Sequence, residues 1–288
     1  MSPTTSPAVS ICIPVYNGER FLAETIRSVL DQTYGDFELV LLNNASTDDT
    51  VEIASSFTDP RIRIEHNPTT VPMMANYNRV VDHCRAPLIK LVCADDLVHP
   101  RCLELEVIPM QNNPRLSLVA GRRHMIDENG RVIAPRRGMA GLTGVHSGSE
   151  VVRRIVRNGG NPIGEPAGAV FRRDDFYAVG GWRAGNPYLS DLDLWVRLLE
   201  RGDFLGLRDT LAAFRISSIS VTAGGDRAMY DAHRAFVSEL NAAPHFDVRP
   251  FDRLIGRMST PAARIRRRAL YRISGLSRPE PAGKGTAR

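Results

Sequence analysis

Residues 9–44 read VSICIPVYNGERFLAETIRSVLDQTYGDFELVLLNN and decide the fold class. Val9–Ile13 alternates and is rich in β-branched residues, and the turn residues Pro14–Gly18 end this strand. Glu19–Thr33 places its apolar side chains on one face, which predicts an amphipathic helix. Phe37–Leu42 is a near-continuous apolar run, typical of a parallel strand that is covered on both faces. The stretch therefore predicts a β-α-β unit.

The same alternation continues to about residue 112. We predict strands at Arg61–Glu65 and Leu88–Cys93, and helices at Thr50–Phe57, Val71–Cys84 and from Pro100 to about Asn112. Alternation of this kind implies right-handed crossovers and a mostly parallel, Rossmann-like sheet that is flanked by helices. The sequence therefore predicts the α/β class.

The pattern is less regular after residue 112. Leu116–Ala120 and Ala169–Arg172 predict two more strands, and Asp191–Arg201 predicts a helix with one apolar face. Two glycine-containing stretches with few apolar residues, Arg136–Gly148 and Gly159–Gly168, are predicted to be loops. We expect the first of them to lie as a flap over the functional site.

The composition is that of an ordinary globular protein. With 43% hydrophobic and 24% charged residues among 288, the chain can bury a core that needs no cross-links to fold. Its four cysteines form no C-x-x-C pair, which argues against a zinc knuckle and a secreted disulfide framework. The apolar stretch Pro87–Ala94 is too short to cross a bilayer, and residues 1–7 lack the features of a secretory signal. We therefore expect a cytoplasmic protein.

The charge is distributed unevenly along the chain. Residues 249–288 carry 11 of the 37 basic and two of the 32 acidic residues, a net charge of +9, so the rest carries −4. Ile265, Ala269, Ile273 and Leu276 recur there at helical spacing among arginines, which fits a helix lying on an anionic membrane. A solvated helix that leads into a disordered tail fits equally well. A nucleic-acid-binding tail is disfavoured because the segment lacks interleaved aromatic residues.

Polar side chains follow three of the predicted strands. Tyr16 follows the first strand, Asn44 follows the second, and Asp95 and Asp96 follow the strand that starts at Leu88. Open α/β sheets bind ligands at the carboxyl ends of their strands, so these side chains are expected to converge on one rim.

The segments that carry these residues are Pro14–Asn17, Ser28–Tyr34, Asn43–Thr50 and the pair Asp95–Asp96. In order, spacing and placement they resemble glycosyltransferase family 2, the inverting nucleotide-sugar transferases of GT-A fold, and the resemblance covers about residues 8–220. A dinucleotide oxidoreductase needs a Gly-rich fingerprint after its first strand, where this chain has a single glycine, Gly18.

The resemblance implies a nucleotide site formed by Pro14, Tyr16, Asn44 and Asp95. Tyr16 is expected to stack on the base, and the carbonyl oxygen of Asn44 to accept the imide proton of a pyrimidine. Asp95 is expected to hold the ribose or the surroundings of a metal ion. Asp96 is expected to bind Mg²⁺ or Mn²⁺, because carboxylates suit hard divalent ions. A turn tyrosine that packs on a helix and a capping Asp pair are the structural alternatives.

Ser190–Arg197 resembles the family's E-D-x-D-L-W-x-R segment, with Ser190 in place of the first acid. Asp191 falls on the position of the catalytic base, and Asp193 is the second candidate. The start of a helix stabilises the charged form of Asp191, so we expect this carboxyl to be ionised. Helix capping by Asp191 is compatible with such a role.

Further residues are placed near the sugar and the acceptor by the same resemblance. Glu165, in Asn161–Pro166, is expected to hydrogen-bond sugar hydroxyls, and Asp193 and Trp195 are assigned to the sugar and acceptor region. Arg215 matches a Tyr-Arg-x-His pattern of the family, although Ser217 stands where histidine is usual.

These interpretations lead to one functional hypothesis. The protein transfers a sugar, with inversion and metal assistance, from a nucleoside-diphosphate sugar, UDP or dTDP being favoured, to a glycan, lipid-linked or small-molecule acceptor. Residues 1–112 bind the donor, residues 113–225 form the acceptor and catalytic half of the same GT-A domain, and residues 226–288 form a helical extension with a basic tail. A nucleotidyltransferase and an inactive nucleotide-sugar-binding protein are the alternatives.

Overall fold

The computed structural model describes residues 6–185, 187–217 and 226–273, with the side chains of Asp226 and of residues 267–273 left out. The predictions for Leu276 and for the end of the basic tail concern residues outside the described part of the chain. The side chains of Ala269 and Ile273 are outside it as well.

A ten-stranded sheet forms the centre of the molecule. Its strands are β1 (Val9–Val15), β2 (Phe37–Asn43), β3 (Ile62–His66), β4 (Leu88–Leu91), β5 (Leu97–Val98), β6 (Leu116–Ile126), β7 (Val132–Arg137), β8 (Gly144–His146), β9 (Ala169–Arg172) and β10 (Asp203–Arg215). The strand order is β3-β2-β1-β4-β9-β6-β10-β5, with β7 paired to β6 and β8 paired to β10.

The described helices surround this sheet. They are α1 (Leu22–Leu30), α2 (Thr50–Ser55), α3 (Met73–Asp82), α4 (Cys102–Asn112), α5 (Gly148–Asn158), α6 (Arg173–Ala178), α7 (Ser190–Leu198), α8 (Asp226–Ala242) and α9 (Pro250–Ile273). No helix in the described part of the chain is both long and apolar enough to cross a membrane.

Alternating side chains along the strands pack against helices on both faces of the sheet. Ile11 belongs to the apolar cluster that contains side chains of α1, α2 and α4. Its neighbour Cys12 belongs to the cluster on the other face, formed with α3, α5 and α7. Successive side chains of a strand point to opposite faces, so the continuous apolar runs of β1 and β2 are explained by burial on both sides. The predicted α/β class is confirmed.

Parallel pairing holds in the first half of the sheet and changes in the second. β3, β2, β1 and β4 are parallel neighbours. β9 then runs antiparallel between β4 and β6, whereas β10 is parallel to β6. The sheet is therefore mixed, because the chain after residue 112 returns through hairpins and long loops and no longer through regular crossover helices.

The segment expected to be a flap loop is partly strand. β7 ends inside it at Arg137, and β8 lies within it and pairs with β10. Both strands are short and mostly exposed, so they lack the buried apolar face from which a strand is recognised in sequence. β6 also extends six residues beyond its predicted end at Ala120.

Candidate active site

The turns after β1 and β2 are tied to each other at the carboxyl edge of the sheet. The Asn17 backbone N–H donates to Ser46 Oγ at 3.0 Å, and Asn17 Oδ1 accepts from the Thr47 N–H at 2.9 Å. Asn17 has a φ of 49°, a left-handed conformation that asparagine tolerates better than most residues. A Cβ at Gly18 would lie 2.6 Å from Val15 Cγ2, so this turn has no room for a side chain there.

A cavity of about 460 Å³ opens beside these turns. The structure brings five of the residues predicted for the site onto its wall: Pro14, Tyr16, Asn44, Asp95 and Asp191. They come from the ends of β1 and β2, from the segment after β4 and from the first turn of α7. Of the other predicted residues, Asp96, Glu165, Asp193 and Trp195 do not belong to this wall.

Aromatic side chains line one part of the cavity. Tyr16 is 52% exposed, a large fraction for a tyrosine that contacts its own fold, and its ring is accessible to a planar ligand. Tyr77 and Phe214 lie on the same wall, and the Tyr77 hydroxyl is 3.3 Å from Cys93 Sγ. Burial raises the pKa of Tyr77 well above its usual range, so its hydroxyl is neutral. Cys93 stands at the position where a fuller family motif has an acid, and its thiol contacts the Tyr77 hydroxyl.

Asn44 is fixed by a network of amide groups. Its Oδ1 accepts from Asn67 Nδ2 and from the Val71 N–H, both at 2.9 Å, and its Nδ2 donates to the Val71 carbonyl. A carboxamide oxygen has two lone pairs, and both are used here. The imide proton of a base therefore finds no free acceptor on Asn44, in contrast to the expectation. One amide N–H of Asn44 is left as a donor.

Asp95 and Asp96 form a buried acidic turn that Arg215 holds in place. The Arg215 backbone N–H donates to Asp96 Oδ1 at 3.1 Å, and its Nε donates to the Asp95 carbonyl at 2.9 Å. The guanidinium also pairs with Glu24 at 2.7 Å and lies 4.4 Å from the centre of the Phe21 ring. Arg215 thus has a structural role that joins the end of β10 to this turn.

The two carboxyl groups differ in their exposure. Asp95 lies on the cavity wall, whereas Asp96 is completely buried and its Oδ2 has no hydrogen-bond partner. Burial raises the pKa of both groups, and for Asp96 the neighbouring charge of Asp95 raises it further. An orphaned buried oxygen and two destabilised negative charges suit a nearby cation.

These residues fit a divalent ion that is shared with a ligand. No group of three or more His, Cys, Asp or Glu side chains able to hold a metal occurs in the described part of the chain. Mg²⁺ is commonly bound by one or two carboxylates, with phosphates and water completing its octahedron. The Asp95–Asp96 turn offers the two carboxylates for such a site and nothing softer than oxygen.

Asp191 lies in the first turn of α7, as the sequence predicts. Its pKa is raised to about 7, chiefly by burial and then by the negative charge of Glu165. Trp182, Ser190 and Arg123 stabilise the charged form and oppose this shift without cancelling it. The expectation that the helix N-terminus keeps Asp191 ionised is therefore wrong near and below neutral pH, because desolvation outweighs the helix dipole.

Glu165 does not lie on the cavity wall, yet it acts on the carboxyl groups nearby. Arg123, only 8% exposed, pairs with Glu165 through Nε and Nη2. The Glu165 charge raises the pKa of both Asp191 and Asp96. The Asn161–Pro166 loop that carries Glu165 needs glycine at position 164, where φ is 119° and a Cβ would lie 2.8 Å from Arg123 Nη1.

Trp195 and Asp193 lie away from the cavity. Trp195 is completely buried and donates from Nε1 to the Gly164 carbonyl at 2.8 Å, so it supports the loop that carries Glu165 and does not reach a sugar directly. Asp193 pairs with Arg197 at 2.6 Å, a helix contact over one turn. Asp193 also lines a separate cavity of about 220 Å³ between α7 and α8. Ser190 lines this second cavity as well.

Arg123 is the functional residue that the sequence analysis missed. The predicted β6 strand ended at Ala120, so the run Arg122–His124 was not assigned to the sheet. Once β6 is known to continue, Arg123 falls on the face that points towards Glu165 and Asp191.

Comparisons with known proteins identify the family of this chain. Residues 10–180 match the model of glycosyl transferase family 2. The putative glycosyltransferase EpsE of Bacillus subtilis is 30% identical over 206 residues, which cover 69% of this chain and 69% of EpsE. The chain thus spans about two thirds of the length of this relative.

Two solved structures share the fold at low sequence identity. A Staphylococcus aureus TarS fragment in complex with UDP-GlcNAc matches at 14% identity and a TM-score of 0.60, over 81% of this chain and 66% of that one. The mannosyltransferase PcManGT of Pyrobaculum calidifontis, in complex with GDP-Man and Mn²⁺, matches at 17% identity and a TM-score of 0.59, over 93% and 76%. The chain belongs to glycosyltransferase family 2 and has the GT-A fold, as its motifs indicate.

Proposed function

We propose that this glycosyltransferase moves a hexosyl group, with inversion, from a nucleoside-diphosphate sugar to an acceptor hydroxyl. The observation that carries the proposal is the cavity itself, where an exposed aromatic ring, an amide donor and the Asp95 carboxyl lie on one wall with Asp191. The family assignment and neighbours that bind UDP-GlcNAc or GDP-Man support a nucleotide sugar as the donor.

The donor nucleotide is held by the strand ends of the first half of the sheet. The accessible ring of Tyr16 stacks on the base, and the free N–H of Asn44 donates to a base carbonyl. A pyrimidine offers such a carbonyl next to its sugar, which favours UDP or dTDP donors. Asp95, on the same wall, accepts hydrogen bonds from the ribose hydroxyls.

Asp191 is the proposed base. It accepts the proton of the acceptor hydroxyl as that oxygen attacks the anomeric carbon on the side opposite the departing diphosphate. With a pKa of about 7, roughly half of the Asp191 carboxyl groups are ionised at neutral pH, and the ionised form is more basic than an ordinary aspartate. Ser190 Oγ lies 3.5 Å from Asp191 Oδ1 and helps to orient it.

The proposed cofactor is Mg²⁺ or Mn²⁺, held by Asp95 and Asp96. A divalent ion, when bound, neutralises charge on the diphosphate leaving group. The structure leaves Asp96 Oδ2 without a partner at this turn, and a neighbour of the same fold contains Mn²⁺. Arg215 keeps the turn in position from its backbone N–H and its guanidinium.

The test is Asp191→Asn, which keeps the size of the side chain and removes the base. We expect transfer to fall on the order of a thousandfold while donor affinity stays within twofold of the wild type. Asp193→Asn, two residues along the same helix turn, is the matched control and should retain transfer. Release of a nucleoside diphosphate, and not of pyrophosphate, separates this reaction from that of a nucleotidyltransferase. Full turnover by Asp191→Asn would show that another group is the base.

We also propose that the protein works at an anionic membrane surface, on the cytoplasmic side. Phe251, Leu254, Met258 and Ile265 are each more than half exposed and fall on one face of α9. Arg253 and Arg257 are exposed beside this face, and the segment 249–288 carries a net charge of +9. An interfacial helix combines such an apolar stripe with cationic flanks.

Vesicle flotation tests this membrane proposal. We expect the full chain to float with vesicles rich in phosphatidylserine at low salt, and Leu254→Ser/Met258→Ser to stay in the soluble fraction. Ile108→Ser, an exposed apolar residue on α4, is the control. Equal flotation of all three proteins would contradict the proposal.

A further inference from the structure

A second and larger cavity, of about 710 Å³, lies beside β5, β6, β10 and the start of α4. Its wall carries six basic side chains, Arg101, Arg122, Arg136, Arg208, His99 and His124. Among the residues that the structure describes, Asp209 is the one carboxylate that lines it with them.

The basic cavity and the donor cavity have no lining residue in common among those that the structure describes. Arg122 and His124, two residues apart on β6, line the basic cavity, whereas Arg123 between them pairs with Glu165 near Asp191. Neighbouring side chains of a strand point in opposite directions, so β6 directs Arg122 and His124 into the basic cavity and Arg123 away from it. The basic cavity is therefore a site of its own.

Most of its cations lack a counter-charge. Arg122, Arg136 and Arg208 form no ion pair with any residue that the structure describes, whereas Arg101 pairs with Glu104. Arg122 Nε is also buried without a hydrogen-bond acceptor. A charged donor that is desolvated and unpaired destabilises the folded protein, and an anion bound in the cavity removes this penalty.

The backbone brings these side chains together by irregular geometry. Arg136 has a φ of 50°, a left-handed conformation that a residue with a long side chain rarely adopts. The register of β10 against β6 shifts between Gly206 and Thr210, and Arg208 lies within this bulge. Bulges redirect side chains, and strained residues persist where the surroundings require them.

We propose that this cavity binds a diphosphate-bearing anion whose remaining part is aliphatic or carbohydrate. Several guanidinium forks with one acid suit a ligand that carries more than one negative charge, and arginine matches phosphate oxygens in pairs. Leu97, Val98 and Leu105 give the wall an aliphatic part, and no aromatic side chain among the described residues lines it for base stacking. The inference does not depend on the transferase assignment.

Titration calorimetry with inorganic pyrophosphate, in EDTA and without divalent metal, tests the site. We expect the wild-type chain to bind about one pyrophosphate and Arg136→Gln/Arg208→Gln to bind at least tenfold more weakly. Both arginines are exposed, so the variant should fold like the wild type. The control, Arg115→Gln/Arg131→Gln, removes the same charge from exposed positions outside the cavity and should stay within twofold.

Two further measurements complete the test. Arg122→Gln alone should also weaken pyrophosphate binding. Flotation of the same proteins with phosphatidate vesicles distinguishes the sources of the phosphate. If only the cavity variants lose flotation, the ligand is a lipid headgroup. If flotation is the same in all the proteins, the ligand is soluble. Equal pyrophosphate affinity in the wild type, the cavity variant and the control, or equal weakening in both double variants, would overturn the proposal.

Discussion

The donor cavity and the basic cavity carry side chains of opposite charge. β6 directs Arg122 into the basic cavity and directs Arg123 to Glu165, outside the donor wall. The cations at and around the donor cavity have partners. Arg20, on its wall, pairs with Glu128. Outside the wall, Arg123 pairs with Glu165 and Arg215 holds the Asp95–Asp96 turn. In the basic cavity, three of the four arginines have no ion-pair partner among the residues that the structure describes. Unpaired charge thus marks each site. In the donor cavity it is negative and suits a metal ion, and in the basic cavity it is positive and suits an anion.

The largest effect that separates the two cavities is expected from the acidic turn. Asp95→Asn/Asp96→Asn should weaken Mn²⁺-dependent binding of the donor nucleotide on the order of 100-fold, because both carboxylates of the proposed metal site lose their charge. Arg136→Gln/Arg208→Gln, which changes only residues of the basic cavity, should bind the nucleotide like the wild type. Titration calorimetry with UDP, with and without Mn²⁺, measures both; unchanged Mn²⁺ dependence in the Asp variant would refute the metal assignment.

A smaller effect is expected from Tyr16→Ala. Loss of base stacking costs about 1–3 kcal/mol, so the affinity for UDP should fall roughly thirtyfold. Because Tyr16 is 52% exposed, its replacement should leave the free energy of unfolding within about 0.5 kcal/mol of the wild type. Tyr177→Ala, at a tyrosine that is 48% exposed on α6, is the matched control for the binding measurement. Equal UDP affinity in both variants would place the base elsewhere.

The charges around Asp191 should shift its pKa in opposite directions. Glu165 raises this pKa and Arg123 lowers it, so Glu165→Gln should move it down and Arg123→Gln should move it up. With a shift of about one pH unit, the transfer rate at pH 6 changes by up to about tenfold, upward in Glu165→Gln and downward in Arg123→Gln. Rate against pH for the two variants measures this, and shifts of the same sign would contradict the electrostatic account.

Much of the site was predictable because strand ends are predictable. Tyr16, Asn44 and Asp95 follow strands whose apolar runs are continuous, and parallel strands bring their carboxyl ends to one edge. Asp191 was predicted from the family motif; the structure puts it on the cavity wall, and its role as the base stays a proposal.

Features that depend on contacts between distant segments could not be predicted from the sequence. The use of both Asn44 lone pairs depends on Asn67 and Val71, which follow another strand. The raised pKa of Asp191 depends on burial and on Glu165, 26 residues earlier, and no local pattern encodes it. The sequence predicts too early an end for β6 because Gly121 and the basic run Arg122–His124 interrupt its apolar pattern, so the alternate orientations of Arg122 and Arg123 could not be predicted.

The pH dependence of transfer at saturating donor tests the central claim most directly, namely that Asp191 is a base whose pKa burial raises to about 7. A base must be deprotonated, so the wild-type rate should be level above neutral pH and fall tenfold for each unit below about pH 7. A rate that stays constant from about pH 5 to pH 8 would contradict the account, because an ordinary aspartate remains ionised over that range.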